Sequence, residues 1–229
     1  MAAVEGRSRS APERSSKILN MRTARGFERL VNFSDAVIAI AITLLVLPLV
    51  EIPGQLEAGM SLADVLSEHR SELGGFVLSF LVIWTFWDAH HQIMEHFRGY
   101  DHVLMRLHMI FLFTLVTLPF STELISRESD DRAVPFYVGT LLVTSVTLVG
   151  ISLRGRRKPE LLLTDRVEVQ QWLSRPVSWY NVIVLVFALV VSLIWPEWGT
   201  WALLLLLLGR PIDRLIAKVR GKPRPDPEG

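Results

Sequence analysis

Residues 25–50 read RGFERLVNFSDAVIAIAITLLVLPLV, an apolar run opened by charged and polar side chains. At about 1.5 Å per residue, a helix over this stretch is long enough to cross a hydrocarbon layer roughly 30 Å thick. Its opening turns carry Arg29, Ser34 and Asp35. Such groups are costly at that depth, so each needs a partner, water or a task. Over 36–50 there is no charge, and Thr43 is the polar side chain. On a helix Ala36, Ile40, Thr43 and Leu47 share a sector about 60° wide. That stripe either packs against a neighbour or faces a symmetry axis, where it builds a narrow apolar constriction with one ring of hydroxyls. Pattern alone does not choose.

Working outward, further apolar segments occupy 73–94, 104–124, 133–153, 177–195 and 198–209, which makes six candidate crossings. The last is followed by Arg210 and Pro211 and spans if Arg210 snorkels to the headgroups. The connecting charges alternate in sign. Arg7, Arg9, Arg14, Lys17, Arg22 and Arg25 precede the first segment, and Glu51, Glu57, Asp64, Glu68 and Glu72 follow it. Arg98 and Arg106 come next, then Glu123, Glu128, Asp130 and Asp131, then Arg154, Arg156, Arg157 and Lys158. A basic tail from Arg210 to Arg224 closes the series. The positive-inside rule gives this alternation for six spans with both termini cytoplasmic. A cell (plasma) membrane location is expected. Trp195, Trp198 and Trp201 mark the opposite interface. Residues 160–173 mix apolar and charged side chains and are expected to form a short helix on the inner membrane surface. The expected division is a basic disordered tail over 1–24, a six-helix domain over 25–217 and a second disordered tail over 218–229.

Composition agrees with an all-α integral membrane protein. Half of the 229 residues are hydrophobic, too many for an ordinary soluble domain. A net charge of +1 gives no bias toward nucleic acid, and none is expected as a partner. Cysteine is absent, which excludes disulfides, thiolate metal sites and a cysteine nucleophile. No signal-peptide pattern opens the chain, so the first apolar helix is expected to be retained.

The second segment brings Trp84, Trp87, Asp88, His90 and His91 to the depth of Arg29, Ser34 and Asp35. Two readings stay open: a structural hydrogen-bond network that holds the first helix, or a proton relay through Asp35 and His91. His90, His91, His96, His102 and His108 lie close together, with Asp88, Glu95 and Asp101 among them. A membrane di-iron enzyme would draw histidine boxes from several segments, whereas only His69 lies elsewhere and no HExxH occurs. Neither a metal site nor a catalytic residue is read here. Most of these histidines are expected at the inner interface or in a loop.

At RLVNFSD, residues 29–35, the chain resembles the transmembrane protein 175 (TMEM175) family, the lysosomal potassium channel and its prokaryotic relatives. Arg followed by three variable residues and Phe-Ser-Asp opens that family's first helix, and AVIAIAITLLVLPL continues in the same manner. WTFWDAHH at 84–91 and LPFST at 118–122 are similar to its second and third helices, although Ala89 stands where Asn is commoner. Later segments agree in span count and length alone. The resemblance implies a potassium-permeable cation channel, a homotetramer whose first helices line the pore. It implies that Ile40 forms a hydrophobic constriction, Thr43 a threonine layer and Leu47 a further apolar ring. It also implies that Arg29, Ser34, Asp35, Trp84 and His91 form a hydrogen-bonded network around that helix. Partners are then further copies of the chain, membrane lipid and monovalent cations; K+ is the permeant ion, and no cofactor or enzyme activity is implied. No TVGYG-type loop is present, so selectivity falls to size, dewetting and Thr43 hydroxyls, and modest preference for potassium is expected. The alternative is a proton-conducting or proton-coupled transporter using Asp35 and His91. No repeat between the halves of the chain supports it. A non-conducting membrane scaffold is excluded by nothing in the sequence.

Overall fold

A computed structural model of the chain describes residues 11–52, 61–126 and 132–195. Helix α1 runs over Ala11–Leu44. Its backbone is helical well before the apolar run. Pro12 falls in the first turn, where no N–H bond is lost, and the Ala-, Glu-, Arg- and Leu-containing sequence that follows favours helix. The remainder of the tail expected over 1–24, the sixth apolar segment at 198–209 and the tail at 218–229 lie outside the described residues.

Helix α1 does not continue smoothly to Val50. After Leu44 the backbone tightens, with Leu45 and Val46 N–H groups reaching Ile42 and Thr43 carbonyls at 3.3 Å. A short α2, Leu47–Glu51, then starts with Pro48 in its first turn. Proline has no N–H to continue the α1 ladder, so the break follows from one residue. Helix α3, Leu62–Glu68, is opened by a capping box in which Asp64 N–H donates to Ser61 Oγ and Ser61 N–H donates to Asp64 Oδ2. The longer helices α4 (Arg70–Met94), α5 (His102–Ser126) and α6 (Ala133–Arg157) follow, then α7 (Val167–Ser174) and α8 (Tyr180–Ile194).

Among the described residues, four helices are long and apolar enough to cross a membrane: Arg25–Glu51, Arg70–Met94, His102–Ser126 and Ala133–Arg157. The fifth expected crossing, 177–195, is shorter than the sequence suggests. The helix begins only at Tyr180, and α8 holds 15 residues. That length rises only ~22 Å, less than a hydrocarbon core of about 30 Å.

The bundle centres on α5 and α6, which pack along each other; α8 lies on α6, and α1 and α4 lean on α5. Phe111, Leu115 and Leu118 of α5 meet Tyr137, Val138 and Leu141 of α6 within one buried cluster. Hydroxyls join three helices inside it. Thr122 Oγ1 lies 2.6 Å from Ser79 Oγ, which lies 3.1 Å from the Tyr137 hydroxyl. Buried groups of this kind must find one another where water is absent.

Asp101 closes the opposite end. Its Oδ1 accepts from Leu104 N–H at 2.8 Å, capping α5, and its Oδ2 accepts from Arg154 Nε of α6 at 2.9 Å and from the same guanidinium's terminal nitrogen. The Arg154 hydrogen bonds hold the Asp101 carboxyl below its usual 3.8. We expect Asp101→Asn to cost about 1–2 kcal/mol, because an acceptor for the cap survives while the charge-assisted bonds weaken. A depressed carboxylate stabilises the fold above its unfolded pKa and ceases to do so as pH falls through the folded one. The gap in unfolding temperature between wild type and Asp101→Asn should therefore be full at pH 6 and close as pH falls below 3.8.

The expected surface helix over 160–173 resolves into a 3₁₀ turn at Pro159–Leu161 and α7. Leu163 N–H donates to His96 carbonyl at 3.0 Å and Arg98 N–H to Leu161 carbonyl at 2.8 Å, so this segment is stitched to the end of α4. It is part of the bundle's end rather than a free element.

Candidate functional site

Two faces of α1 have opposite characters. Phe27, Leu30, Ser34, Ile38, Ala41 and Leu45 recur at three- and four-residue intervals and are buried against the bundle. The other face carries Ala36, Ile40 and Thr43 and continues past the break to Leu47. It is uncovered: Ile40 is 58% exposed and Leu47 56%. Thr43 Oγ1 donates to the Ile40 carbonyl at 2.8 Å. Its proton is thereby engaged, while its oxygen lone pairs remain available on the uncovered face. Leu47 follows the turn at Leu45 and Val46.

Behind this face lies a polar cluster drawn from three helices. Ser34, fully buried, donates to the Leu30 carbonyl at 2.8 Å, and its Oγ lies 2.5 Å from Nε2 of His108 on α5. Nδ1 of His108 lies 3.5 Å from Nε2 of His90 on α4. His90 stacks on Phe111 with ring centroids 4.6 Å apart, and its Nδ1 is buried without a hydrogen-bond partner among the described residues. One residue along α1, Asp35 Oδ1 accepts from Trp87 Nε1 of α4 at 2.9 Å. Adjacent residues of α1 are thus tied to two different helices.

Of the residues singled out from sequence, Ser34 and Asp35 enter this cluster. Trp84 is 49% exposed and reaches it through a tilted ring contact, with its centroid 5.0 Å from that of Trp87. His91 stacks on Trp87 at 5.3 Å, while its Nε2 faces Glu95 at 3.5 Å. The structure does not join His91 to Asp35, the pair required by a proton relay. Arg29 is exposed and has no ion pair among the described residues.

The histidines are the principal correction. His90 and His108 sit in the core rather than at an interface or in a loop. Their position was readable: His108 falls in register with Leu104, Phe111, Leu115 and Leu118, all buried at helical spacing. His96 instead stacks on Trp172 at 4.9 Å, and His102 opens α5. Among the described residues no three His, Asp or Glu side chains converge on one point.

Residues 29–119 match the sequence model of the family described as endosomal/lysosomal potassium channel TMEM175. This segment is similar to the TMEM175 family. It contains the uncovered face of α1 and every member of the buried cluster. A potassium channel of Streptomyces collinus is 34% identical over 106 residues, 46% of this chain and 50% of its own. One of Chamaesiphon minutus is 32% identical over 124 residues, 52% of this chain and 60% of its own. The match thus spans about half to three-fifths of the length of these curated relatives. Among solved structures, a lysosomal potassium-selective channel TMEM175 homologue from Chamaesiphon minutus superposes with a TM-score of 0.61 at 24% identity. That match covers 80% of this chain and 94% of the homologue. A variant of the potassium channel MtTMEM175, bound to a nanobody fusion, gives 0.53 at 18% identity over 96% and 97% of the two chains. At these identities the two structures establish a shared TMEM175 fold.

Proposed function

We propose that this chain is a potassium-permeable cation channel of the plasma membrane, assembled as a homotetramer of six-span subunits with both termini cytoplasmic. The observation that carries the reading is the division of α1: one face is anchored through Ser34 and Asp35, and the other presents Ile40, Thr43 and Leu47 uncovered. A single copy of α1 cannot enclose a pore, whereas copies arranged about an axis would stack a ring of Ile40, a ring of Thr43 hydroxyls and a ring of Leu47. The apolar rings would narrow and dewet the path, and the hydroxyl oxygens would replace part of a cation's hydration shell. Potassium sheds water more easily than sodium, so the selectivity is weak to moderate. Arg29 and Trp84 are exposed in the subunit and His91 is half-buried; they would complete the network across its boundary with a neighbouring copy.

The test is flux from liposomes. Purified protein in potassium-loaded vesicles, with the proton gradient collapsed by an ionophore, should release potassium faster than sodium. Flux that requires an imposed proton gradient would end the passive-channel reading.

A further inference from the structure

A cavity of about 630 Å³ opens where the ends of α4, α6 and α7 meet the start of α8. It lies apart from the uncovered face of α1. Its α6 wall runs from Ser145 to Arg156. The helix rises roughly 16 Å between those positions, and the long Arg156 side chain bridges part of that distance. The cavity therefore reaches from the basic end of α6 into the apolar part of the bundle.

Ser145 Oγ and Arg156 Nε are buried and without a hydrogen-bond partner among the described residues, and Ser145 is only 3% exposed. Native interiors rarely leave such groups unmatched. Arg156 cannot turn to relieve itself. Its two terminal nitrogens donate to the Trp172 and Leu173 carbonyls at 2.8 and 2.9 Å, and its guanidinium lies 4.5 Å from the Trp172 ring centroid. Arg175 adds a second guanidinium to the lining, against one carboxylate, Glu168. Leu148 and Val149 line the same space from α6. Cationic and hydrogen-bonding groups with an apolar wall are the complement of an anionic amphiphile, and basic pockets between membrane helices suit lipid phosphates.

We propose that this cavity binds an anionic phospholipid, with its phosphate between the guanidinium groups of Arg156 and Arg175 and an acyl chain along Val149 and Leu148 toward Ser145. The full chain, stripped of lipid in detergent, would be titrated with dioleoyl phosphatidylglycerol or dioleoyl phosphatidylcholine and read by native mass spectrometry. This is a binding measurement, so its outcome is independent of ion conduction. Phosphatidylglycerol should occupy one site in preference to phosphatidylcholine. Arg175→Gln, at an exposed position, should weaken it roughly fivefold, the ratio expected for one guanidinium near a charged headgroup. Ser145→Leu, which fills the deep end, should weaken both lipids. Equal occupancy by the two lipids, or occupancy unchanged in both variants, would overturn the site. Glycerol 3-phosphate raising the unfolding temperature as much as phosphatidylglycerol does would overturn the lipid assignment in favour of a soluble phosphate.

Discussion

Proteoliposomes carrying Ile40→Asn are expected to release potassium roughly tenfold faster than wild type, equivalent to about 1.4 kcal/mol off the permeation barrier. The expectation follows from what Ile40 touches and what it does not. At 58% exposure it contributes little to packing within the subunit, so shortening it and adding an amide leaves the bundle intact. A ring of isoleucines repels water from a narrow path; a ring of carboxamides widens the path and wets it. If the same face of α1 instead met lipid, the amide would face hydrocarbon, and insertion and yield would fall with flux unchanged. The paired readout of yield and flux therefore separates a pore from a lipid-facing surface. Thr43→Ala serves as the companion: it removes the oxygen but adds no width, so the potassium-to-sodium ratio should fall toward unity without a tenfold rise in rate.

Much of this architecture was legible in the sequence because membrane spans are written in composition. The apolar runs beginning at Leu73, Leu104 and Ala133 became α4, α5 and α6 with boundaries shifted by a few residues or less at most ends. What was not legible depends on local chemistry or on side-chain direction. Pro48 interrupts the helix of the first span because it lacks the N–H that would continue the ladder, whatever its apolar neighbours prefer. Residues 160–173 looked like a surface helix because their amphipathic pattern does not reveal the backbone pairing of Leu163 with His96. The polar cluster shows the same limit. Depth placed Ser34 and Asp35 beside the end of α4, yet adjacent candidates on that helix point different ways. Trp87 and His90 face inward, and His91 turns to Glu95. His108 was passed over because it was grouped with nearby histidines rather than with the leucines that share its face.

That same residue carries the second large effect. His108→Ala is expected to lower the unfolding free energy by about 3 kcal/mol, from the void left by a buried ring and the loss of a partner for Ser34 and His90. The void should dominate, since polar pairs between membrane helices average only about 0.6 kcal/mol. His108→Gln keeps a donor and much of the volume, and should recover about half of the loss. His91→Ala offers the contrast. Its side chain is 41% exposed, and its ion pair with Glu95 spans 3.5 Å, so the subunit should unfold within about 1 kcal/mol of wild type. Its effect is expected on assembly, where loss of a contact across the subunit boundary would weaken the tetramer. Tryptophan fluorescence during thermal unfolding reads the first quantity, because Trp87 reports on the contact with Asp35. Cross-linking after dilution in detergent reads the second. Should His91→Ala unfold as readily as His108→Ala, the buried anchor of α1 would have to be moved from His108 to the face of α4 that carries His91.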